Sequence, residues 1–455
     1  MKSRSMDLTK GPVVSGIIRY TIPIVLSSAL QLLFNAADLM VVGQFCGSLS
    51  VGAISSTGAM TNLIINLFVG LSVGAGVCVA HAMGSHKEEE LHHTIHTAIP
   101  LSLLCGVILT AAGILLTRPL LELMGTPEDV LPLSETYMII YFGGVTFTLL
   151  YNFGSAILRA AGDTKSSLIY LSLAGVLNII LNLVFVICFQ MNVAGVGLAT
   201  VISQAVSALL VLWELMRRPD ACRYIPRESH IYAAPLRKMT TIGLPAGIQG
   251  CLFSISNVVI QSSVNSFGTV MVAGCGAASN IEGFIWTTMS GVGQAAVNYT
   301  GQNLGAHKFD RIHKVYHSCL CIVFLLGLVM GVSAYIYAPQ LLSIYITDSP
   351  AAIAAGQIRM LWICLPYCFG GIMDTLTGCL RGLGKSLLPM LVTILGVCVL
   401  RVVWVSTIFQ IPKFHTPSVL FASYIVSWIV TEIVQFILFK TALKKLEQQA
   451  ELPVI

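Results

Sequence analysis

Long apolar stretches, separated by short charged or Gly/Pro-rich breaks, fill almost the whole chain. Runs of this length read as membrane-crossing helices, which need ~20 apolar residues each. Twelve are predicted, near 17–43, 52–81, 94–117, 133–158, 168–190, 195–217, 239–267, 271–300, 314–338, 355–380, 387–410 and 416–440. The runs are continuous, whereas strands of a membrane barrel alternate apolar and polar positions over segments of about ten residues. The pattern therefore predicts an all-α, polytopic membrane protein.

Composition agrees with that reading. The chain has 455 residues, of which 56% are hydrophobic and 10% charged, and its mean hydropathy is +0.84. Soluble domains carry about 25% charged residues. A net charge of +5 leaves too few bases for a phosphate-binding face, so a nucleic-acid partner is excluded, as is a disordered chain. The 13 cysteines lie mostly inside apolar runs and form no CxxC knuckle or disulfide framework. The charged opening MKSRSMDLTKG leads into a long span without a small-residue cleavage site, so no removable signal peptide is expected.

Charge then orients the spans. With the N-terminus in the cytoplasm, nearly all of the 25 Lys and Arg residues fall on that side, from Lys2, Arg4, Lys10 and Arg19 to Lys440, Lys444 and Lys445. The outside would hold only Arg118, Arg359 and Lys413, and Arg401 lies within a span. Both termini are expected in the cytoplasm, with the protein in the inner (plasma) membrane.

The chain also repeats itself. Pro23 matches Pro245, Asn35 matches Asn257, and Val51-Gly52-Ala53 matches Ala273-Gly274-Cys275. Gly84-Ser85-His86-Lys87 matches Gly305-Ala306-His307-Lys308, and Leu158-Arg159 matches Leu380-Arg381. The order is kept across six spans. An even number of spans per half predicts parallel lobes related by a pseudo-two-fold axis along the membrane normal. The predicted division is an N-terminal lobe at 1–217, a solvated basic linker at 218–238 and a C-terminal lobe at 239–455. A cleft between two such lobes suits alternating access.

Ionisable groups at membrane depth are costly and mark functional sites by default. Asp38, Glu282, Asp374, Glu432 and Arg401 qualify. Gln31, Asn35 and Asp38 share one face of the first helix at i, i+4 and i+7. Pro23 lies roughly four turns earlier and removes a backbone hydrogen bond. A bend there could respond when the carboxylate beyond it changes its ligand. Asn178 and Asn182 share a face of the fifth helix, and Thr200 begins the sixth. Such oxygens suit a small cation, but they equally serve as interhelical hydrogen-bond glue. Asn62 and Asn66 read as glue. Asn257, Gln261 and Asn265 form a second stripe, in which Ile260 stands where Asp38 would repeat. Glu282 either faces the substrate cleft or pairs with Arg401. Asp374 and Glu432 read as structural partners of Arg401 or of loop bases.

Two further segments carry chemistry-bearing residue types. His86 to His96 (HKEEELHHTIH) offers metal-ligand types, although a solvated charged face is the simpler reading. Gly382-Leu383-Gly384-Lys385-Ser386 ends like a phosphate-binding loop, but Leu380 stands where its first glycine belongs. ATP-driven transport is thus disfavoured against coupling to an ion gradient. No cofactor is expected, and no nucleophile or paired-carboxylate constellation suggests an enzyme.

The chain resembles the multidrug and toxic compound extrusion (MATE) family, nearest its prokaryotic DinF-like branch, over almost its whole length. The resemblance rests on the duplicated six-span halves, Pro23…Asp38…Val42-Gly43, the Gly301-Gln302-Asn303-Leu304-Gly305-Ala306 segment and the Leu-Arg turns at Leu158 and Leu380. It implies export of lipophilic, mostly cationic drugs or toxins in exchange for inward Na+ or H+. Asp38 is then the ion-coupling residue, and Asn178, Asn182 and Thr200 complete the site, binding Na+ if sodium is the coupling ion. An acid is usual where Asn182 stands, which leaves the choice of ion open. Pro23 and Pro245 are the implied hinges. Gln31, Asn35, Asn257, Gln261 and Glu282 are the candidate substrate-cleft residues. The expected partners are organic cations and membrane lipids, with the protein acting as a monomer. A flippase for a lipid-linked oligosaccharide or peptidoglycan precursor is the alternative. It would need a cationic cavity, against four intramembrane acids and one base here. A non-transporting sensor would gain nothing from duplicated halves.

Overall fold

The computed structural model describes residues 5–347 and 349–451, except the side chains of Ser48, Ser56, Ala59, Met60, Asn62, Leu63 and Glu451. Lys2, Arg4 and the Asn62 side chain thus lie outside the described residues.

Helices account for nearly all of it. They run α1 (Val13–Phe45), α2 (Ser48–Gly84), α3 (Glu88–Leu123), α4 (Leu131–Ala160), α5 (Thr164–Leu183) and α6 (Asn192–Arg217). The second half continues with α7 (Ala233–Asn265), α8 (Thr269–Gly305), α9 (Phe309–Ile336), α10 (Ala338–Ser343), α11 (Pro350–Trp362) and α12 (Tyr367–Gly382). It closes with α13 (Leu387–Thr393), α14 (Leu400–Ser406) and α15 (Pro417–Glu451). Two π-helical turns, Val184–Cys188 after α5 and Ile394–Val399 before α14, extend their helices with a wider backbone repeat.

Ten of these segments are long and apolar enough to cross a membrane, or eleven if α11 and α12, bent by 48° at their junction, form one span. Twelve were predicted, and the eighth is the difference. Helix α8 has 37 residues, but its sequence is rich in Gly, Ala, Ser, Thr and Asn, and its hydropathy falls below that of its neighbours.

The repeat is visible in the backbone. Left-handed residues punctuate both halves at matching places: Gly47 and Gly268, His86 and His307, Gly162 and Gly384. In each half these positions end one helix so that the next can start, a turn that needs φ > 0. The helices they bound also match, with α1 and α7 of 33 residues each and α2 and α8 of 37 each.

The chain forms two compact units that do not coincide with its halves. One comprises residues 1–7 and 26–247; the other comprises 8–25 and 248–455. The first parts of α1 and α7 are therefore exchanged between the halves. Within α1 and within α7 the change of unit falls two residues beyond a proline, Pro23 and Pro245.

In the first unit α4 packs against α2, α3 and α6. The approach is close enough that a Cβ on Gly113 would lie 2.3 Å from the Phe142 ring. Small residues let helices meet where lipid supplies no hydrophobic drive. The leading part of α7 packs on α2 by backbone alone, since a Cβ on Gly70 would lie 2.2 Å from the Gly247 nitrogen. In the second unit α8, α9, α11 and α12 pack together, with α15 against α11 and α12.

The Gly301–Ala306 motif has a visible task in this unit. Gln302 Oε1 accepts from the Leu8 N–H at 3.2 Å, and Asn303 Nδ2 donates to the Leu8 carbonyl at 3.2 Å. Arg311 and Lys308 donate to the carbonyls of Gly11, Lys10 and Thr9. The loop carbonyls just ahead of α1 are thereby satisfied.

The linker exposes Arg223, Arg227, Arg237 and Lys238, as a solvated connector would, but it is also anchored. Arg218, Cys222 and Tyr224 are buried, and the Ile225 and Tyr232 N–H groups donate to His96 Nε2 and Thr97 Oγ1 of α3. A chain leaving α6 this close to α3 must satisfy its polar backbone against that helix. Arg218 clasps Asp220 through two nitrogens, at 2.7 and 2.9 Å, and lies 3.7 Å from the α5 cap residue Asp163. Burial pushes the Asp220 carboxyl up, but Arg218 pulls it further down, so it ends below the usual carboxylate range. A depressed folded-state value contributes stability above the unfolded pKa of ~3.9, lost as pH falls through the depressed value. Arg218→Ala is therefore expected to lower the thermal unfolding midpoint at pH 7. The gap to wild type should close below about pH 4. A gap independent of pH would contradict this reading of the clasp.

Candidate functional site

Asp38 is half-buried on α1, in the first unit. Its position follows from one close contact. A turn earlier, Phe34 lays its ring on Gly175 of α5, where a Cβ would come within 1.7 Å of it. This brings the Asp38 face of α1 against the face of α5 that carries Asn178 and Asn182, one and two turns beyond Gly175.

The four expected ion-coupling residues meet there in one hydrogen-bonded chain. Asn182 Nδ2 donates to Asp38 Oδ1 and, at 3.3 Å, to Asn178 Oδ1. Asn178 Nδ2 points to Thr200 Oγ1 at 3.5 Å, and that hydroxyl donates to the Val196 carbonyl at 3.0 Å. Asn178 and Asn182 are buried. The second acceptor, Asn182 Oδ1, meets no partner among the described residues. The site thus combines one carboxylate with neutral amide and hydroxyl oxygens, the donor set that hard cations prefer.

Apolar neighbours close one side. Val42, Val186 and Val196 form a small core, with Tyr137 of α4 packed on it. Tyr137 lies near enough to Asp38 to feel its charge. Val186 belongs to the π turn that begins two residues after Asn182, and such turns recur beside functional sites. Neither Tyr137 nor the Phe34–Gly175 contact was legible in the sequence, where an aromatic in a span reads as lipid-facing.

The packing yields a direct expectation. Gly175→Leu should push α1 off α5 and cut any Asp38-dependent transport at least tenfold, because a misplaced carboxylate no longer meets its partners. Transport assays on folded, membrane-inserted protein check this, and activity near wild type would contradict the seating role of Gly175.

The remaining candidates are dispersed. Gln31 and Asn35 on α1 are exposed, as are Asn257 and Gln261 on α7, where Gln261 donates to Asn265 Oδ1 at 3.1 Å. Ile260 is buried. Pro23 and Pro245 lie inside continuous helices at the unit boundaries already described.

Glu282 neither faces an open surface nor pairs with Arg401. It is buried, and its two oxygens accept from Arg359 Nε at 2.7 Å and Nη2 at 2.8 Å. Arg359, expected outside the membrane, is correspondingly buried in α11. A buried acid with a base in reach is held by it, since either charge alone would be costly. Asp374 does not pair with Arg401 either. It packs against Gly293 of α8, with Arg381 as its charged neighbour. Glu432 Oε2 finds no hydrogen-bond partner among the described residues.

The histidine segment is a solvated charged face only at its start, His86 to Glu89, and its buried end is not a free ligand set. His92, His96 and Glu228 offer atoms within 4.8 Å of one another. His96 Nδ1, however, donates to the His92 carbonyl at 2.8 Å, while its Nε2 accepts from Ile225 N–H. His92 Nε2 is 2.8 Å from Glu228. The rings fasten the linker to α3.

Against known proteins, the MatE family model matches residues 23–184 and 245–406. It matches twice, starting once at Pro23 and once at Pro245. The "Probable multidrug resistance protein YpnP" of Bacillus subtilis (strain 168) is 29% identical over 398 residues, covering 88% of this chain and 89% of its own length. A protein named "FAD transporter" from Shewanella oneidensis is 24% identical, covering 76% of this chain and 77% of its own. Among solved structures, a crystal structure of MATE in complex with MaL6 superposes with a TM-score of 0.91 at 22% identity. It covers 98% of this chain and 100% of that one, a likeness of fold.

Proposed function

The chain belongs to the MATE family of membrane transporters, and on that premise we propose that it is a secondary antiporter. It exports lipophilic, mostly cationic drugs or toxins in exchange for inward Na+ or H+, by alternating access, from an inner membrane with both termini in the cytoplasm. The observation that carries this reading is the chain Asp38–Asn182–Asn178–Thr200 inside the first unit.

The chemistry follows from that arrangement. In the ion-free state Asn182 turns its amide nitrogen toward both Asp38 and Asn178. A cation arriving at Asp38 displaces those donated hydrogens. The Asn182 side chain must then turn its oxygen inward, which puts an acceptor where a donor stood at the contact between α1 and α5. A proton on Asp38 has the same consequence, because a protonated carboxyl donates to an amide oxygen instead of accepting from its nitrogen. Either ion therefore alters the contact that seats α1. Prolines without a backbone N–H mark where α1 and α7 change unit, so these helices can bend there at least cost. Gln31 and Asn35 in the first unit, and Asn257 and Gln261 in the second, each give an exposed helix face polar groups that can meet substrate.

The flippase alternative is not favoured. A chain with intramembrane acids outnumbering bases suits cations better than pyrophosphate lipids. The named FAD transporter among its relatives is nevertheless a reason to test anionic cargo as well.

The test is dye efflux from vesicles holding the purified protein, with a sodium gradient and a pH gradient imposed separately. Efflux of a cationic dye under one of them is expected. Its absence under both would reject the antiporter.

A further inference from the structure

Arg401 heads the large side chains with less than 2% exposure. It lies in α14, two residues past the π turn Ile394–Val399. Its Nε donates to Ser427 Oγ of α15 at 3.0 Å. The guanidinium carbon Cζ lies 3.9 Å from the Tyr424 ring centre, with Phe253 at 5.8 Å and Trp428 at 5.9 Å. Among the described residues neither Nη1 nor Nη2 meets an acceptor.

Nor is its charge balanced. The titratable groups around it are Tyr424, Cys398 and Tyr367, none of which is a carboxylate. Of the acids in the same unit, Glu282 has both oxygens committed to Arg359, Asp374 has Arg381 as its charged neighbour, and Glu432 is not among the groups that bear on Arg401. A guanidinium cannot shed its proton to escape burial. Leaving a buried charge unpaired is among the costliest features a fold can carry. Tyrosine and tryptophan faces offset part of that cost and hold the plane still. What remains is a fixed fork of two N–H-bearing nitrogens, the geometry that binds carboxylate or phosphate bidentately.

We propose that Arg401 is an oxyanion subsite inside the second unit. Its ligand carries a carboxylate or phosphate group on a flat, aromatic body. The charged end meets Nη1 and Nη2, and the body lies along Phe253 and Trp428. Phe253 is half-buried, while Tyr424 and Trp428 are buried. As a transport site it rests on the exporter reading and widens its substrates to anionic amphiphiles; as a binding site it stands alone.

The test uses the full chain, purified in detergent, with benzoate and phenyl phosphate as probes and benzamide and chloride as controls. Thermal unfolding and tryptophan fluorescence are both read. One or both oxyanions should raise the wild-type midpoint saturably, and benzamide should not. The stronger of the two identifies the group as carboxylate or phosphate. Arg401→Met should fold with an unchanged or higher midpoint in buffer, since the unpaired charge is gone, and should lose the response. Arg401→Lys, a point charge without the fork, should bind at least tenfold more weakly, and it serves where the Met variant does not fold. In vesicles Arg401→Met should keep efflux of a cationic dye and lose that of an anionic one. No saturable response in wild type, an equal response to chloride, or undiminished binding by Arg401→Lys would overturn the subsite. Failure of cationic efflux in wild type would instead reject the exporter and leave the binding result standing.

Discussion

Asp38→Asn is expected to reduce gradient-driven dye efflux to the level of vesicles without protein, while the variant still reaches the membrane in normal amount. The substitution keeps the shape of the side chain and its contact with Asn182, so the seating of α1 on Gly175 is preserved. It removes the only carboxylate in the hydrogen-bonded group that also holds Asn178 and Thr200. A neutral amide neither takes up a proton at working pH nor attracts a cation with a full charge. Removing a coupling group abolishes exchange, so a loss of at least tenfold is expected whichever ion drives transport. Thr200→Val should weaken efflux less, because the hydroxyl is one of several neutral oxygens. Near-normal efflux by Asp38→Asn, measured on protein with a wild-type unfolding midpoint, would remove the ion-coupling role from this site.

Glu282→Gln is expected to be the most destabilising of these changes, for a reason unconnected with transport. It leaves Arg359 charged, buried and without its bidentate partner. Breaking a buried pair from one side costs about 3–5 kcal/mol. Replacing both members, as Glu282→Met with Arg359→Met, should recover most of the loss, because it removes the uncompensated charge as well as the pair. Denaturation of the single and double variants in the same detergent measures the coupling. If Glu282→Gln matches wild type, or if the double variant is worse than the single, the pair is not what holds α8 to α11. Cationic dye efflux should survive in the double variant, which would separate this acid from substrate attraction.

The candidate site was legible to different depths. The polar faces were readable one helix at a time, because helical periodicity places Asn178 and Asn182 together without reference to the rest of the chain. That Asp38 meets that face depended on Phe34 finding Gly175, a steric match between helices far apart in sequence. Glu282 shows the same limit from the other side. An acid at membrane depth implied a partner, but Arg401 was as reasonable a choice as Arg359 until the helices were packed. His96 looked like a ligand or a solvated face. Its two nitrogens are instead occupied by a carbonyl of its own helix and an N–H of the linker, and only the second of these is invisible in local sequence. Helix α8 is the reverse case, since its small and polar residues suit close packing inside the protein better than contact with lipid.

By itself the sequence determined the all-helical class, the order of the spans and the repeated turns, because hydropathy, periodicity and positive-φ positions are local properties of the chain. The tertiary structure alone decided which buried charges are paired, which part of α1 and α7 joins which unit, and that Asp38 meets buried amides while neither Nη of Arg401 meets an acceptor among the described residues. Those outcomes depend on side chains meeting at ångström range across helices, and no spacing along the chain encodes that distance.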